Sequence, residues 1–246
     1  MKSKTVGIFT DTHGNLLALN AILDFFDSKK VSKIYHLGDI VSMGPCSVEC
    51  MEIFKNRAED IVCLLGNHDN DYLNDNTVPP ELSHVTGEHK KFVFGKLGDK
   101  YRPFVDGLPT VIVQNFFGLR VAFMHYGMAR DEDIKKNPKA VFRPIEEPSV
   151  ESFDAMYQKI PADIVFFGHK HSPVDMVGQK VYCDVGSVGC HKGNFARGVL
   201  FTVNEDKTYS IERVQVPYDR QKTFKKMEEE GLPNAKFIQD FYFMAD

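Results

Sequence analysis

Nine residues are of types that could do chemistry: Asp11, His13, Asp39, Asn67, His68, Asp69, His125, His169 and His171. Asp11 and His13 are two apart, as are His169 and His171. On extended backbone, residues two apart point to the same side, so each pair can grip one region. Carboxylate and amide oxygens mixed with imidazole suit manganese, iron, zinc or nickel better than an all-oxygen calcium or magnesium site. The donors Asp11, His13, Asp39, Asn67, His125, His169 and His171 are too many for one tetrahedral ion. They suit two octahedral ions with open positions, and Asp39 is a candidate bridging carboxylate. Two ions about 3.5–4 Å apart can activate a water between them and clamp a phosphoryl group for in-line attack.

These residues all follow stretches that read as strands: 5–10, 33–37, 61–65, 119–124 and 164–167. Helices are expected at 16–26, behind a cap at Asn15, and at 48–56. The β-α-β-α-β order predicts a parallel sheet with helices on its faces. In such sheets, sites form beyond the carboxyl ends of the strands. Gly14, Gly38, Gly66, Gly127 and Gly168 flank the candidate residues and permit tight turns. Further along, 81–97 reads as helix and 111–115 as a strand. Residues 127–148 read as an irregular insertion on the substrate side, and Ser149 caps a helix running to about residue 159. Strands at 174–177, 180–184, 198–203 and 209–216 look like a meander. The expectation is one α/β domain over 1–246, with two packed sheets between helices and a C-terminal extension at 217–246.

The chain has 246 residues, of which 43 % are hydrophobic and 26 % charged, with a net charge of −4. That is too apolar for disorder, and it gives no broad basic surface for long nucleic acid. Cys46, Cys50, Cys63, Cys183 and Cys190 form no C-x-x-C pair and read as free thiols in a reducing compartment. The N-terminal apolar run is too short for a signal peptide, and no stretch approaches the roughly 20 apolar residues of a membrane span. The cytoplasm is the expected location.

The succession Asp11-Thr12-His13, Gly38-Asp39, Gly66-Asn67-His68-Asp69, His125 and Gly168-His169-Lys170-His171 resembles the calcineurin-like metallophosphoesterases. A further stretch, Gly186-Ser187-Val188-Gly189, is similar to a loop of the small microbial members. The resemblance spans about residues 5 to 203. It implies a four-layer α/β/β/α sandwich, in which Asp11, His13 and His171 take one metal and Asn67, His125 and His169 the other. Asp39 would bridge them. His68 would stand over the scissile bond as a general acid, oriented by Asp69. Manganese or iron would be the expected ions, with zinc or nickel as alternatives. The implied substrates are phosphodiesters and dinucleoside polyphosphates such as diadenosine tetraphosphate. Ser42 and Met43 stand where small members often have glycine and an aromatic, and Tyr126 separates His125 from Gly127. These departures bear on substrate, not on metal.

Asn15, Tyr126, Arg130 and Arg143 are candidate substrate contacts. Arg130 and Arg143 belong to a basic run in the insertion that could meet extra phosphates. The other readings are a solvated loop and, for Asn15, a helix cap. His36 is expected in the core, and His84 and His89 on a solvated helix face. His191 follows the glycine loop. The aromatic tail at 237–243 suits packing on the domain or a contact between two copies in a homodimer. Two other functions fit the motifs less well. Protein serine/threonine phosphatases carry paired arginines near the phosphate, and none stands beside the second or third motif here. A non-catalytic metal-binding interaction module would have lost the catalytic histidine, but Asn67-His68-Asp69 is intact.

Overall fold

The first apolar run is buried on both faces, which is why it reads as continuous rather than alternating. Val6 and Ile8 face one way, into a core with Tyr35, Phe123, Phe166 and Phe201; Phe9 faces the other, among Phe26 and Phe54. Gly7 is required between them, because a Cβ there would stand 2.7 Å from the Phe26 ring.

The computed structural model describes residues 2–74 and 87–244. In chain order its elements are β1 (Ser3–Phe9), α1 (Leu16–Lys29), β2 (Ile34–His36), α2 (Ser47–Asn56), β3 (Ile61–Cys63), α3 (Asn67–Leu73), α4 (Gly87–Leu97) and α5 (Arg102–Asp106). There follow β4 (Val111–Phe116), β5 (Leu119–Met124), α6 (Asp131–Lys136), α7 (Val150–Met156), β6 (Ile164–Phe167), β7 (Val174–Val177) and β8 (Val181–Asp184). The chain closes with β9 (Phe195–Asn204), β10 (Tyr209–Pro217), α8 (Arg220–Glu229) and α9 (Ala235–Phe241).

Two five-stranded mixed sheets result, ordered β10-β9-β1-β2-β3 and β4-β5-β6-β8-β7. β1, β2 and β3 run parallel, as do β5, β6 and β8. Three apolar cores join four layers. One lies between the sheets, where Tyr35 stacks on Phe123 at 3.9 Å. One packs α1, α2, α4, α8 and α9 on the first sheet, and one packs α7 on the second. The fold is therefore the α/β/β/α sandwich.

The expected meander is corrected. β7 and β8 form a hairpin in the second sheet, whereas β9 and β10 form a hairpin in the first, with β9 pairing antiparallel to β1. The insertion is not wholly irregular either, since it holds α6. Of the expected helix at 81–97, Gly87–Leu97 is helical; its beginning and His84 lie outside the described residues. His89 is not solvated but 0 % exposed: its Nε2 accepts from the Met43 N–H at 2.9 Å and its Nδ1 lies 3.2 Å from the Pro233 carbonyl. Among the described residues all five cysteines are free and buried, and no helix is long and apolar enough to cross a membrane.

Candidate metal centre

The carboxyl ends of β1, β2 and β3 and those of β5 and β6 meet at one end of the sandwich. The loop after β1 carries Asp11 and His13, the loop after β2 carries Asp39, and α3 opens with Asn67 and His68. His125 follows β5, and His169 and His171 follow β6. Asp11, His13, Asp39, His125 and His169 are brought together with His68 and His171 in three overlapping groups: Asp11–His13–His171, His13–Asp39–His68 and Asp39–His125–His169. His13 and Asp39 are shared between neighbouring groups.

The donor pairs do not lie on extended backbone. Asp11, His13, Asp39, His169 and His171 all have positive φ, between 48° and 76°. The left-handed region turns the chain sharply, so consecutive ligands curl around a point instead of projecting from a strand. Non-glycine residues held there cost on the order of 1–3 kcal/mol each and cluster at functional sites.

The contacts around the donors test whether the site fits cations. His13 Nδ1 lies 3.1 Å from the Val41 carbonyl and His125 Nδ1 lies 3.0 Å from the Leu37 carbonyl. Each Nδ1–H therefore donates to a carbonyl, which fixes the ring orientation that turns Nε2 inward. His13 Nε2 is 3.0 Å from His171 Nε2, and His125 Nε2 is 3.2 Å from His169 Nδ1. Asp11 Oδ2 accepts from the His169 N–H at 3.1 Å, while Asp11 Oδ1 is buried without a hydrogen-bond partner. It lies 3.3 Å from His171 Nε2 and 3.6 Å from His13 Nε2. Asp39 Oδ1 accepts from the His68 N–H, and its Oδ2 lies 3.4 Å from His125 Nε2 and 3.7 Å from His13 Nε2. The terminal amide atom of Asn67 faces His125 Nε2 at 2.9 Å, Asp39 Oδ2 at 3.2 Å and His169 Nδ1 at 2.7 Å. Carboxylate, amide and imidazole groups converging on one point are what a cation site requires. The residues present fit metal ions.

The charges of these groups are strongly linked. Burial alone would raise the pKa of Asp39, but His125 and the other histidines hold it well below the carboxylate range. Burial likewise pulls His125 down, yet the Asp39 charge outweighs it and lifts the ring to about 9. Burial, and then the His125 charge, push His169 down to about 3.

Asp69 is not where its expected role would place it. Its Oδ2 accepts from the N–H groups of Asp39 (2.8 Å) and Gly66 (3.1 Å), and its Oδ1 from those of Ile40 (3.0 Å) and Val41 (3.4 Å). Both oxygens are occupied by backbone, so Asp69 ties the loop after β2 to the start of α3 rather than orienting His68. His68 packs edge-on against His13 at 5.0 Å, and its Nδ1 is buried without a partner. Burial holds its pKa well below 6.5, so the ring is neutral.

The candidate substrate contacts are engaged elsewhere. Asn15 caps α1 through the Ala18 N–H and also bonds Tyr218 and Thr223. Tyr126 is buried, with its hydroxyl accepting from the Glu146 N–H and its ring 4.9 Å from His169. Arg130 pairs with Glu132, Asp133 and Glu146, and Arg143 also reaches Glu146. The arginines of the insertion thus carry their own counter-charges. Two cations near the site have no signature in the sequence: Lys90, paired with Asp71 on α3, and Arg197 beside His171.

The sequence profile of the calcineurin-like phosphoesterase superfamily domain matches residues 5–206. An uncharacterized protein of Methanocaldococcus jannaschii is 27 % identical over 269 residues, covering 95 % of this chain and 96 % of that protein. The crystal structure of a hypothetical protein from Pyrococcus horikoshii OT3 has a TM-score of 0.76 at 21 % identity, covering 97 % of this chain and 98 % of that one. A metallophosphoesterase from Sphaerobacter thermophilus has a TM-score of 0.70 at 20 % identity, with the same coverage. With its profile matched over most of its length, the chain belongs to the calcineurin-like phosphoesterase superfamily.

Proposed function

We propose that the protein is a dinuclear metal-dependent phosphoesterase that hydrolyses phosphodiesters and dinucleoside polyphosphates. The observation that carries this reading is Asp39 Oδ2, one carboxylate oxygen within 3.4 Å of His125 Nε2 and 3.7 Å of His13 Nε2. An oxygen reaching both clusters supports a bridging role. Asp11, His13 and His171 would hold one ion, and Asn67, His125 and His169 the other. Manganese and iron suit this mixture of oxygen and imidazole, and zinc or nickel would also bind. When bound, the ions supply positive charge against the phosphoryl oxygens and make water acidic enough to attack near neutral pH.

The chain's own residues do the orienting. The Val41 and Leu37 carbonyls fix the rings of His13 and His125, and the Asp39 carboxylate holds the start of α3 through the His68 N–H. His68 offers an N–H to a phosphoryl or leaving oxygen. The negative charge of a bound ester favours its protonated form, which is the state a general acid needs.

Metal analysis of the manganese-loaded protein, with hydrolysis of bis(p-nitrophenyl) phosphate and diadenosine tetraphosphate, tests this reading. Two ions per chain and turnover of the esters are expected, and the proportion of ATP plus AMP to ADP identifies which bond is aligned. A protein that holds a single ion, or that cleaves neither ester, is not this enzyme.

A further inference from the structure

Among the described residues, one arginine beside the metal centre is left without a carboxylate partner. Arg57, Arg102, Arg120, Arg130, Arg143 and Arg213 each pair with a carboxylate. Arg220 is buried and donates to the Phe243 carbonyl. Arg197, on β9, has no carboxylate partner among the described residues. Its guanidinium lies over the Phe195 ring at 5.5 Å, and its Nη1 lies 3.5 Å from the carbonyl oxygen of His171. Burial and the neighbouring Arg213 charge lower its pKa, which is how a half-buried cation without a counter-ion behaves. A guanidinium has five N–H donors in a planar fork that fits phosphate, and one long contact to a carbonyl leaves most of them free.

A second observation points the same way. His191 is 3 % exposed and its ring packs 4.8 Å from Phe195. Its Nδ1 lies 2.8 Å from the Lys192 carbonyl, so Nδ1–H is the donor and Nε2 the acceptor. Among the described residues that Nε2 is buried without a hydrogen-bond partner. A buried acceptor without a donor is costly unless a ligand or solvent group completes it. The segment carrying these residues is fixed to the metal centre. Ser187 Oγ donates to the Asp11 carbonyl at 2.8 Å, the Val188 N–H to the Thr10 carbonyl at 2.9 Å, and the Arg197 N–H to the Val188 carbonyl at 3.1 Å.

We propose that Arg197, Phe195 and His191 form a subsite for the phosphate adjoining the scissile one in a nucleoside polyphosphate, on the side of the centre built from Asp11, His13 and His171. The proposal rests on the phosphoesterase reading and names its substrate class. Arg197 takes the adjoining phosphate, and His191 Nε2 accepts from a hydroxyl of the attached nucleoside. The reaction remains a hydrolysis. The oxygen of water bonds to the scissile phosphorus, the P–O bond to the adjoining phosphate breaks with its electron pair, and the water proton passes to solvent. A cation on the leaving phosphate stabilises the charge that develops there. Arg130 and Arg143 of the insertion do not supply that cation, because both are already paired.

The test compares wild-type protein with Arg197→Gln, Arg197→Lys and, as a distant control, Arg120→Gln. kcat/KM is measured for diadenosine tetraphosphate and for bis(p-nitrophenyl) phosphate, which has no second phosphate. Arg197→Gln should lower the ratio of the two about 10- to 100-fold, the loss of a charge-assisted hydrogen-bond pair, through kcat as well as KM for the tetraphosphate. Arg197→Lys should recover part of it, and Arg120→Gln should match wild type. Independently of turnover, calorimetric titration of tripolyphosphate into protein kept in EDTA should show binding by wild type that Arg197→Gln weakens by a similar factor. Equal losses on both esters, an unchanged ratio, or no tripolyphosphate binding by wild type would each overturn the subsite. If wild type binds tripolyphosphate through Arg197 but cleaves neither ester, the phosphoesterase reading fails and the anion subsite stands.

Discussion

His68 and Asp69 are adjacent in sequence and do different work. The Asp69 carboxylate accepts four backbone N–H groups from the loop after β2 and the turn into α3, while His68 makes no side-chain hydrogen bond through its buried Nδ1. Hydrogen bonds to a charged group are worth about 1.5–3 kcal/mol each, and orphaned buried N–H groups add a penalty of their own. Asp69→Ala should therefore lower the melting temperature and reduce bound metal, because Asp39 and Asn67 lose their common anchor. His68→Ala should keep the metal content of wild type and lose about 10²- to 10⁴-fold in kcat. Metal analysis and thermal melts of the two variants separate these roles. An Asp69→Ala protein that melts like wild type with full metal would refute the anchoring role. The residue types around this centre were legible in the sequence, since carboxylate, amide and imidazole at strand ends have few other uses together. Their backbone was not. Asp11, His13, Asp39, His169 and His171 sit at positive φ because the surrounding turns impose it; Asp and His enter that region more readily than most residues, but still too seldom for residue type alone to announce it.

At the scale of elements, α3 matters beyond its length, because it opens with Asn67 and His68. It is held from behind by a buried ion pair: Lys90 on α4, 1 % exposed, donates to Asp71 on α3 at 2.7 Å. Breaking such a pair from one side leaves a charge in a poorly solvated place, at a cost of about 3–5 kcal/mol, whereas replacing both partners by apolar groups is often neutral. Lys90→Met should be strongly destabilised in urea, and Lys90→Met/Asp71→Leu should recover most of the loss. A double variant as unstable as the single one would mean that the pair does not couple the helices. Neither residue carries a motif, so sequence reading had no reason to join them. Pairing of distant strands was equally hidden. The strands of the β7–β8 and β9–β10 hairpins were located correctly, but β9 bonds β1 across nearly the whole chain, and only the closed fold assigns it to the first sheet. By contrast, β1, β2, β3, β5 and β6 were readable, because strands buried on both faces announce themselves as apolar runs.

For the molecule as a whole, the C-terminal segment completes the core on the helix side of the first sheet. Met227, Leu232, Ile238 and Phe243 are buried there with residues of α1, α2 and α4, while Phe237 and Phe241 stack on each other at 46 % and 58 % exposure. His89 joins three parts of this assembly: α4, the loop after β2 through the Met43 N–H, and the segment before α9 through the Pro233 carbonyl. The sequence suggested a solvated His89, because its neighbours on α4 are polar; only the packing of the C-terminal segment makes the position interior. Burial pushes its pKa from 6.5 down to about 4, against the Pro233 carbonyl, which favours the charged ring, and with help from the positive charges of His13 and Lys90. The sign follows from proton linkage. Between pH 6.5 and 4 the unfolded chain binds a proton at His89 and the folded chain does not, so stability falls as pH falls through that window. The contribution is complete above pH 6.5, and the loss approaches on the order of 3 kcal/mol near pH 4, at 1.36 kcal/mol per unit. His89→Gln, which cannot titrate, isolates it. At pH 7.5 the variant should be less stable than wild type in urea, and the gap should narrow steadily as pH is lowered from 6.5 to 4.5. The titrations of the metal-site residues are common to both proteins and cancel in the difference. A gap that stays constant over this range would show that His89 is not held neutral, and that the link between α4 and the C-terminal segment is weaker than its burial implies.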